Sequence, residues 1–211
     1  MKKFLSVMLI VLLALCVFVS CEDDDEDSST TSYFTLNSKS YSTLQEVVDA
    51  ALGGKGTPVS SSNNVIGLTG DYTGPGAIIS DLSGYSINFG GYKFNFTTDI
   101  VIKNKTEISI IGKLESSKSS VGIVLEDSTV TIDGSSEIDS NIKITGATLD
   151  VNDSATLSVD YFEAYGSKVK FNTTGETEIA KIYAPTGTNE IEVAGNGAFV
   201  IEKMKALLPM M

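Results

Sequence analysis

The sequence predicts an all-β solenoid of about seven coils, on three observations: a hydrophobic pulse of about twenty residues, two-residue alternation within each pulse, and turn residues between pulses. The pulse reads VIGL at 65, SINF at 86, EISII at 107, TVTI at 129, TLDV at 148, KVKF at 168 and EIEV at 190. Taking the first inward residue of each gives Ile66, Ile87, Ile108, Val130, Leu149, Val169 and Ile191, spaced by 21, 21, 22, 19, 20 and 22 residues. A lone coil cannot bury its apolar face, whereas stacked coils share one core. Alternate Thr, Ser, Lys, Asp and Glu then face water.

A second column keeps step with the first: Ile100, Ile123, Ile142, Phe162 and Ile182, within strands such as DIVI, GIVL, NIKI and YFEA. A third, weaker strand per coil is marked by Phe94 and Phe96, Leu114, Ile138 and Leu157. Turns fall at GSS, NDS, TTG and GNG. Ahead of the coils, Tyr33 to Leu36 reads as a short strand. Ser42-Thr43-Leu44-Gln45 then reads as a capping box for a helix over 42–52, with Leu44, Val47, Val48, Ala51 and Leu52 on its apolar face. Gly53 and Gly54 end that helix, and a polar loop runs to Asn64. At the far end, Glu202 to Leu208 is expected to form a second capping helix, with Met204, Leu207 and Leu208 on the last coil.

The stretch from Ser42 to about Lys203, and the phrase TVTIDGSSEIDSNIKITGATLDVNDSATLSVD in particular, resembles the single-stranded right-handed parallel β-helix of the pectin-lyase-like and adhesin-like families. The short coils are more similar to the adhesin type. The alternative is an antiparallel β-sandwich, since strands about ten residues apart with turns between them also mark that fold. Like residues recurring one period apart, with few two-residue hairpin signals, favour the solenoid.

The N-terminal 32 residues have a different composition. Met1, Lys2 and Lys3 precede an uncharged run from Phe4 to Ser20, the order of a secretory signal peptide over 1–20. The run approaches membrane-spanning length, but it ends in small Ser20 and Cys21 followed at once by acids, without the Lys, Arg, Trp or Tyr anchors of a retained helix. Val19-Ser20-Cys21 resembles the end of a bacterial lipobox, with Phe18 where leucine is usual. The resemblance implies that Cys21 is lipidated and becomes the mature N-terminus. With each buried CH₂ contributing about 0.8 kcal/mol, such an anchor makes the membrane a partner without a spanning segment. The expected location is the bacterial cell envelope, lipid-anchored at the outer membrane and displayed at the surface. Glu22 to Asp27 begin a disordered tether over 21–32 and also resemble the acidic export signals that follow some lipidated cysteines.

Processing would remove Cys16 and consume Cys21, leaving no disulfide for the 33–211 domain, so packing must stabilise it. Loss of Lys2 and Lys3 would take the net charge from −12 to −14. That charge repels phosphate backbones and argues against nucleic acid as a partner.

Catalytic chemistry is hard to place. The chain contains no His, Arg or Trp, which removes the usual general base and the bidentate anion clamp. Carboxylates alone can hydrolyse glycosides if two of them sit about 5 to 9.5 Å apart, and no such pair stands out. A polysaccharide-active enzyme is therefore the alternative to a non-catalytic envelope protein. Asp133, Asp150 and Asp153 read as turn residues rather than calcium ligands, and no metal or cofactor is called for.

The surface candidate follows from register. If Phe162 and Ala164 point inward, then Tyr161, Glu163 and Tyr165 point outward, with Tyr183 beside Glu163 in the next coil and Lys143 in the preceding one. Tyrosine faces with hydroxyl tips suit sugar rings or a protein partner. Lys143, Tyr161, Glu163, Tyr165 and Tyr183 are thus the expected ligand-binding residues, in a protein serving adhesion, surface architecture or ligand contact. A glycan-binding subunit of an uptake system is the other non-catalytic reading.

Overall fold

Asn37 and Ser38, with φ of 50° and 65°, form a two-residue turn that folds β1 (Phe34–Leu36) back on β2 (Lys39–Tyr41). The computed structural model describes residues 31–53, 64–185 and 189–205; the expected signal peptide, Cys21 and the acidic run lie outside the described residues. The other edge of β1 pairs antiparallel with β3 (Val65–Leu68), the first strand of the coils. Helix α1 (Leu44–Gly53) then lays Leu44, Val47 and Val48 onto the core. Its capping box sits one residue later than the sequence predicts. The Glu46 amide donates to Thr43 Oγ1 (3.2 Å), and Glu46 Oε2 accepts from the Ser42 amide (2.9 Å). Ser42-x-x-Gln45 and Thr43-x-x-Glu46 both fit the motif, and Gln45 is used elsewhere. Its amide accepts from Ile78 N (2.7 Å) and donates to Ile78 O (3.3 Å), standing in for the peptide of a missing neighbouring strand. Ala51 packs partly against the core, but Leu52 is exposed.

From β3 onward the chain winds through about seven turns, and every pairing between successive coils is parallel. This excludes the β-sandwich, whose pairings are antiparallel. Each full coil contributes to three faces. The first is built from β3, the start of β6 (Ser83–Phe96), the start of β8 (Glu107–Ser116), β10 (Thr129–Ile132), β13 (Thr148–Asp153), β15 (Lys168–Thr173) and β17 (Glu190–Val193). The second takes β4 (Tyr72–Gly74), the ends of β6 and β8, β11 (Glu137–Asp139), and the starts of β14 (Thr156–Tyr165), β16 (Thr177–Tyr183) and β18 (Phe199–Lys205). The third stacks β5 (Ile78–Ser80), β7 (Ile100–Lys103), β9 (Gly122–Glu126) and β12 (Asn141–Thr145) onto the ends of β14, β16 and β18.

The third face follows the predicted column residue by residue, Ile100 to Ile123 to Ile142 to Phe162 to Ile182. The first face departs from it once: Ile87 pairs with Ile110, and Tyr85 takes the place beside Ile108. The register of β6 on β8 shifts near Ser83/Tyr85 and again between Asn88 and Lys93, where Gly84 and Gly90 hold φ of 74° and 60°. Beyond this bulge, Ile108, Val130, Leu149, Val169 and Ile191 stack as expected. The second face confirms the weak third strand, with Phe94, Leu114, Ile138 and Leu157 in register. Rings of the inner columns meet across the core, Phe162 at 6.2 Å from Phe171. A fully buried Ile or Phe contributes about 1.5–3 kcal/mol, so this interior is the main source of stability.

The expected helix over 202–208 is corrected where the chain is described. Through Lys205 it is strand β18, because Phe199 and Ile201 continue the inward columns beside Thr177 and Ile179, and the Phe199 ring lies 4.9 Å from Phe171. Residues 206–211 lie outside the described residues.

Between the third and first faces five coils turn on a left-handed residue followed by a buried one: Asp81 and Leu82, Lys105 (after a left-handed Asn104) and Thr106, Asp127 and Ser128, Gly146 and Ala147, Gly166 and Ser167. Gly146→Ala places an L side chain at φ 63°, with its Cβ 2.7 Å from Asp127 Oδ1. It should cost about 1–2 kcal/mol in urea unfolding. Thr177 presents the opposite case. It occupies an inward apolar column, fully buried, and its hydroxyl has no partner. Thr177→Val should raise stability by about 1 kcal/mol, read as a shift in urea midpoint at constant slope; destabilisation would mean that the hydroxyl is satisfied.

Candidate functional site

Alternation places the proposed side chains where the sequence reading expects them. In β14, Phe162 and Ala164 are fully buried, which turns Tyr161, Glu163 and Tyr165 to the outside. Register then sets Lys143 of β12 beside Glu163, and Tyr183 of β16 on its other side. The side chains meet around Glu163. Lys143 Nζ lies 3.7 Å from Glu163 Oε2 and 5.9 Å from the centre of the Tyr165 ring. The Tyr165 hydroxyl donates to the same Glu163 oxygen at 3.4 Å, and the Tyr165 and Tyr183 rings are 5.9 Å apart, tilted by 60°.

Tyr161 is not brought into this cluster. It stands in the adjacent row, in register with Lys181, and is 40% exposed, while Tyr165 and Tyr183 are half-buried. The Tyr161 amide donates to Asn141 Oδ1 (2.9 Å), which fixes the entry of the chain onto the third face. Val124, Asn141, Lys143, Tyr161 and Glu163 line a shallow open groove across this face. Lys203 extends the row of Tyr161 and Lys181, so sequence reasoning that makes 202–208 helical misses it.

The electrostatics are local. Partial burial, followed by the nearby Glu163 carboxylate and the Tyr183 and Tyr161 phenols, raises the Tyr165 phenol above its ordinary pKa of 10.0. Lys143 and Glu163 form a surface pair, 54% and 21% exposed, a geometry that contributes at most about 1 kcal/mol. The pair therefore serves arrangement more than stability.

The three aspartates have separate places. Asp153, at φ 55°, accepts from the Gly134 amide through its carboxylate (3.2 Å), and its carbonyl accepts from Thr173, Thr174 and the Thr174 amide. Asp133 accepts from Ser136 Oγ through its carbonyl. Asp150 lies mid-strand in β13, between Thr131 and Lys170, rather than at a turn. Among the described residues no group of three His, Cys, Asp or Glu side chains is placed to hold a metal ion. Acids gather instead on the second face, where Glu115, Asp139, Ser158 and Glu178 follow one another in register. Compared with family models, curated proteins and solved structures, the chain matches none of them.

If Glu163 holds the Tyr165 phenol neutral, Glu163→Gln should move the Tyr165 midpoint down toward 10.0, followed by NMR of ring-labelled tyrosine. An unchanged midpoint would show that Glu163 does not contribute to it.

Proposed function

We propose that this is a non-catalytic, lipid-anchored protein of the bacterial cell envelope, whose solenoid presents its third face for adhesion or ligand contact. One observation carries the reading: the paired Tyr165 and Tyr183 rings gathered with Lys143 around the Glu163 carboxylate on a flat sheet. Tyrosine offers large contact area with little conformational entropy to lose, and a hydroxyl at its edge. A rigid parallel sheet holds such groups at fixed spacing, which lowers the ordering cost of binding. The lipobox resemblance at Val19-Ser20-Cys21 and the acids after it support attachment and display. The absence of His and Arg from the whole chain supports contact rather than chemistry.

Two measurements test the proposal. Protease treatment of intact cells should remove the protein, and protection would place it inside the envelope. Tyr165→Ala with Tyr183→Ala should reduce cell-surface or glycan attachment about tenfold at unchanged thermal stability, a loss in keeping with removal of two aromatic contacts. Full attachment by the double variant would sink the assignment of this face.

A further inference from the structure

Five lysines of this solenoid follow one rule. Lys93, Lys113, Lys143, Lys168 and Lys170 each form an ion pair with a glutamate of the next coil: Glu115, Glu137, Glu163, Glu190 and Glu192. Four of these pairs sit directly opposite in register, the arrangement that stabilises a sheet. On the third face Lys181 is differently placed. The residue opposite it in the next coil is Lys203, both side chains are exposed, and neither has an ion-pair partner among the described residues. Lys93 and Lys113 are also opposite one another, but each has its own glutamate. Two ammonium groups on neighbouring strands, about 4.8 Å apart at the backbone, repel each other and destabilise the sheet. In a chain of net charge −12 this is the one register pair among the described residues in which two lysines face each other and neither has a glutamate of its own.

We infer that the Lys181–Lys203 rung is an anion subsite, and that the ligand of the third face is a carboxylated saccharide. The inference rests on the reading of this face as a contact surface and adds to it the charge and class of the ligand. Tyr161 continues the row of the two lysines, and Tyr183 flanks Lys181 on the same strand, so aromatic faces border the rung. A sugar ring bearing a carboxylate matches this arrangement: CH groups for the tyrosines, hydroxyl donors for Glu163, and one negative charge for the lysines. Glu163 lies one row away and Asp160 immediately precedes Tyr161, so a densely sulfated chain would meet repulsion. An acidic peptide is less well served. The strand segments of β14 and β16 on this face are hydrogen-bonded to neighbours on both sides and offer no free edge for a peptide to extend.

The test applies the full chain, held in detergent micelles, to an array of sialylated and uronate-bearing saccharides, their carboxyl-reduced counterparts, heparin and polyglutamate. Binding is expected to at least one carboxylated saccharide, weaker in high salt, and to fall about tenfold both on carboxyl reduction and in Lys181→Ala/Lys203→Ala. Lys181→Glu is the decisive variant. It creates a Glu opposite Lys203, so thermal stability should hold or rise while binding is lost; a lysine with a merely structural role would give the opposite. Equal binding to reduced saccharides, abolished by Tyr165→Ala but untouched by the lysine variants, overturns this inference and leaves the contact face standing. Preference for heparin or polyglutamate also overturns it. Binding to nothing on the array overturns it, and the contact face falls too only if Tyr165→Ala with Tyr183→Ala leaves cell attachment intact.

Discussion

The fold depends on one corner. Where five of the coils pass from the third face to the first, a left-handed residue turns the chain and the next residue is driven inward. That inward residue also keeps the coils in step. The carbonyls of Leu82, Thr106, Ser128, Ala147 and Ser167 accept from the amides of Glu107, Thr129, Thr148, Lys168 and Glu190, at 2.8 to 3.0 Å. A hydrogen bond thus links successive coils at each of these bends, and a coil that slipped by one residue would lose its rung and turn its apolar residues to water. The buried hydroxyls here are satisfied locally: Thr106 donates to Lys103 O (2.6 Å) and Ser167 to Tyr165 O (2.8 Å). Polar side chains therefore line a buried corner without the penalty of unpaired groups.

The two ends of the stack are finished differently. At the N-terminal end the β1–β2 hairpin runs antiparallel to the first coil, α1 covers the interior, and the Gln45 amide occupies the open edge of β5. Phe34, Tyr72 and Phe94 close that end with ring contacts of 4.9 to 5.7 Å. In the last described coil the inward residues Ile191, Phe199 and Ile201 are only partly buried, and Val193 and Val200 are exposed. Burial therefore declines toward β17 and β18, and these strands should open before the central coils do.

What the sequence made legible was governed by period and alternation. The third face can be read residue by residue because Ile or Phe opens the inward column in each coil from Ile100 to Ile182 and an apolar residue follows two positions later in most of them. The first face slipped at one place, since two glycines in β6 permit a bulge that the apolar pattern does not mark. The helix start moved by one residue because two overlapping motifs compete there and only packing decides between them. Glu202 to Lys205 looked helical on spacing alone; pairing with β16, a long-range interaction, overrode that local preference. The geometry of the Tyr165 cluster followed from the same alternation. The unpaired lysine rung does not, because it needs the register of Lys203, which falls in the segment whose spacing predicts a helix.

The solenoid also separates chemistries that would otherwise cancel. Because register is fixed, a given outward position recurs about every twenty residues on the same row, and substitutions at that spacing write a property along one face without touching the others. The first face in its later coils sets Lys168 and Lys170 against Glu190 and Glu192, the second accumulates carboxylates, and the third gathers tyrosine and lysine. An acidic chain can in this way keep one locally cationic, aromatic strip. The net charge discourages polyanions at long range, while the strip acts within about a Debye length of roughly 8–10 Å. A ligand of the kind proposed for such a strip would be sparsely charged and able to lie flat, selected over a dense polyanion by the order of residues along the rows.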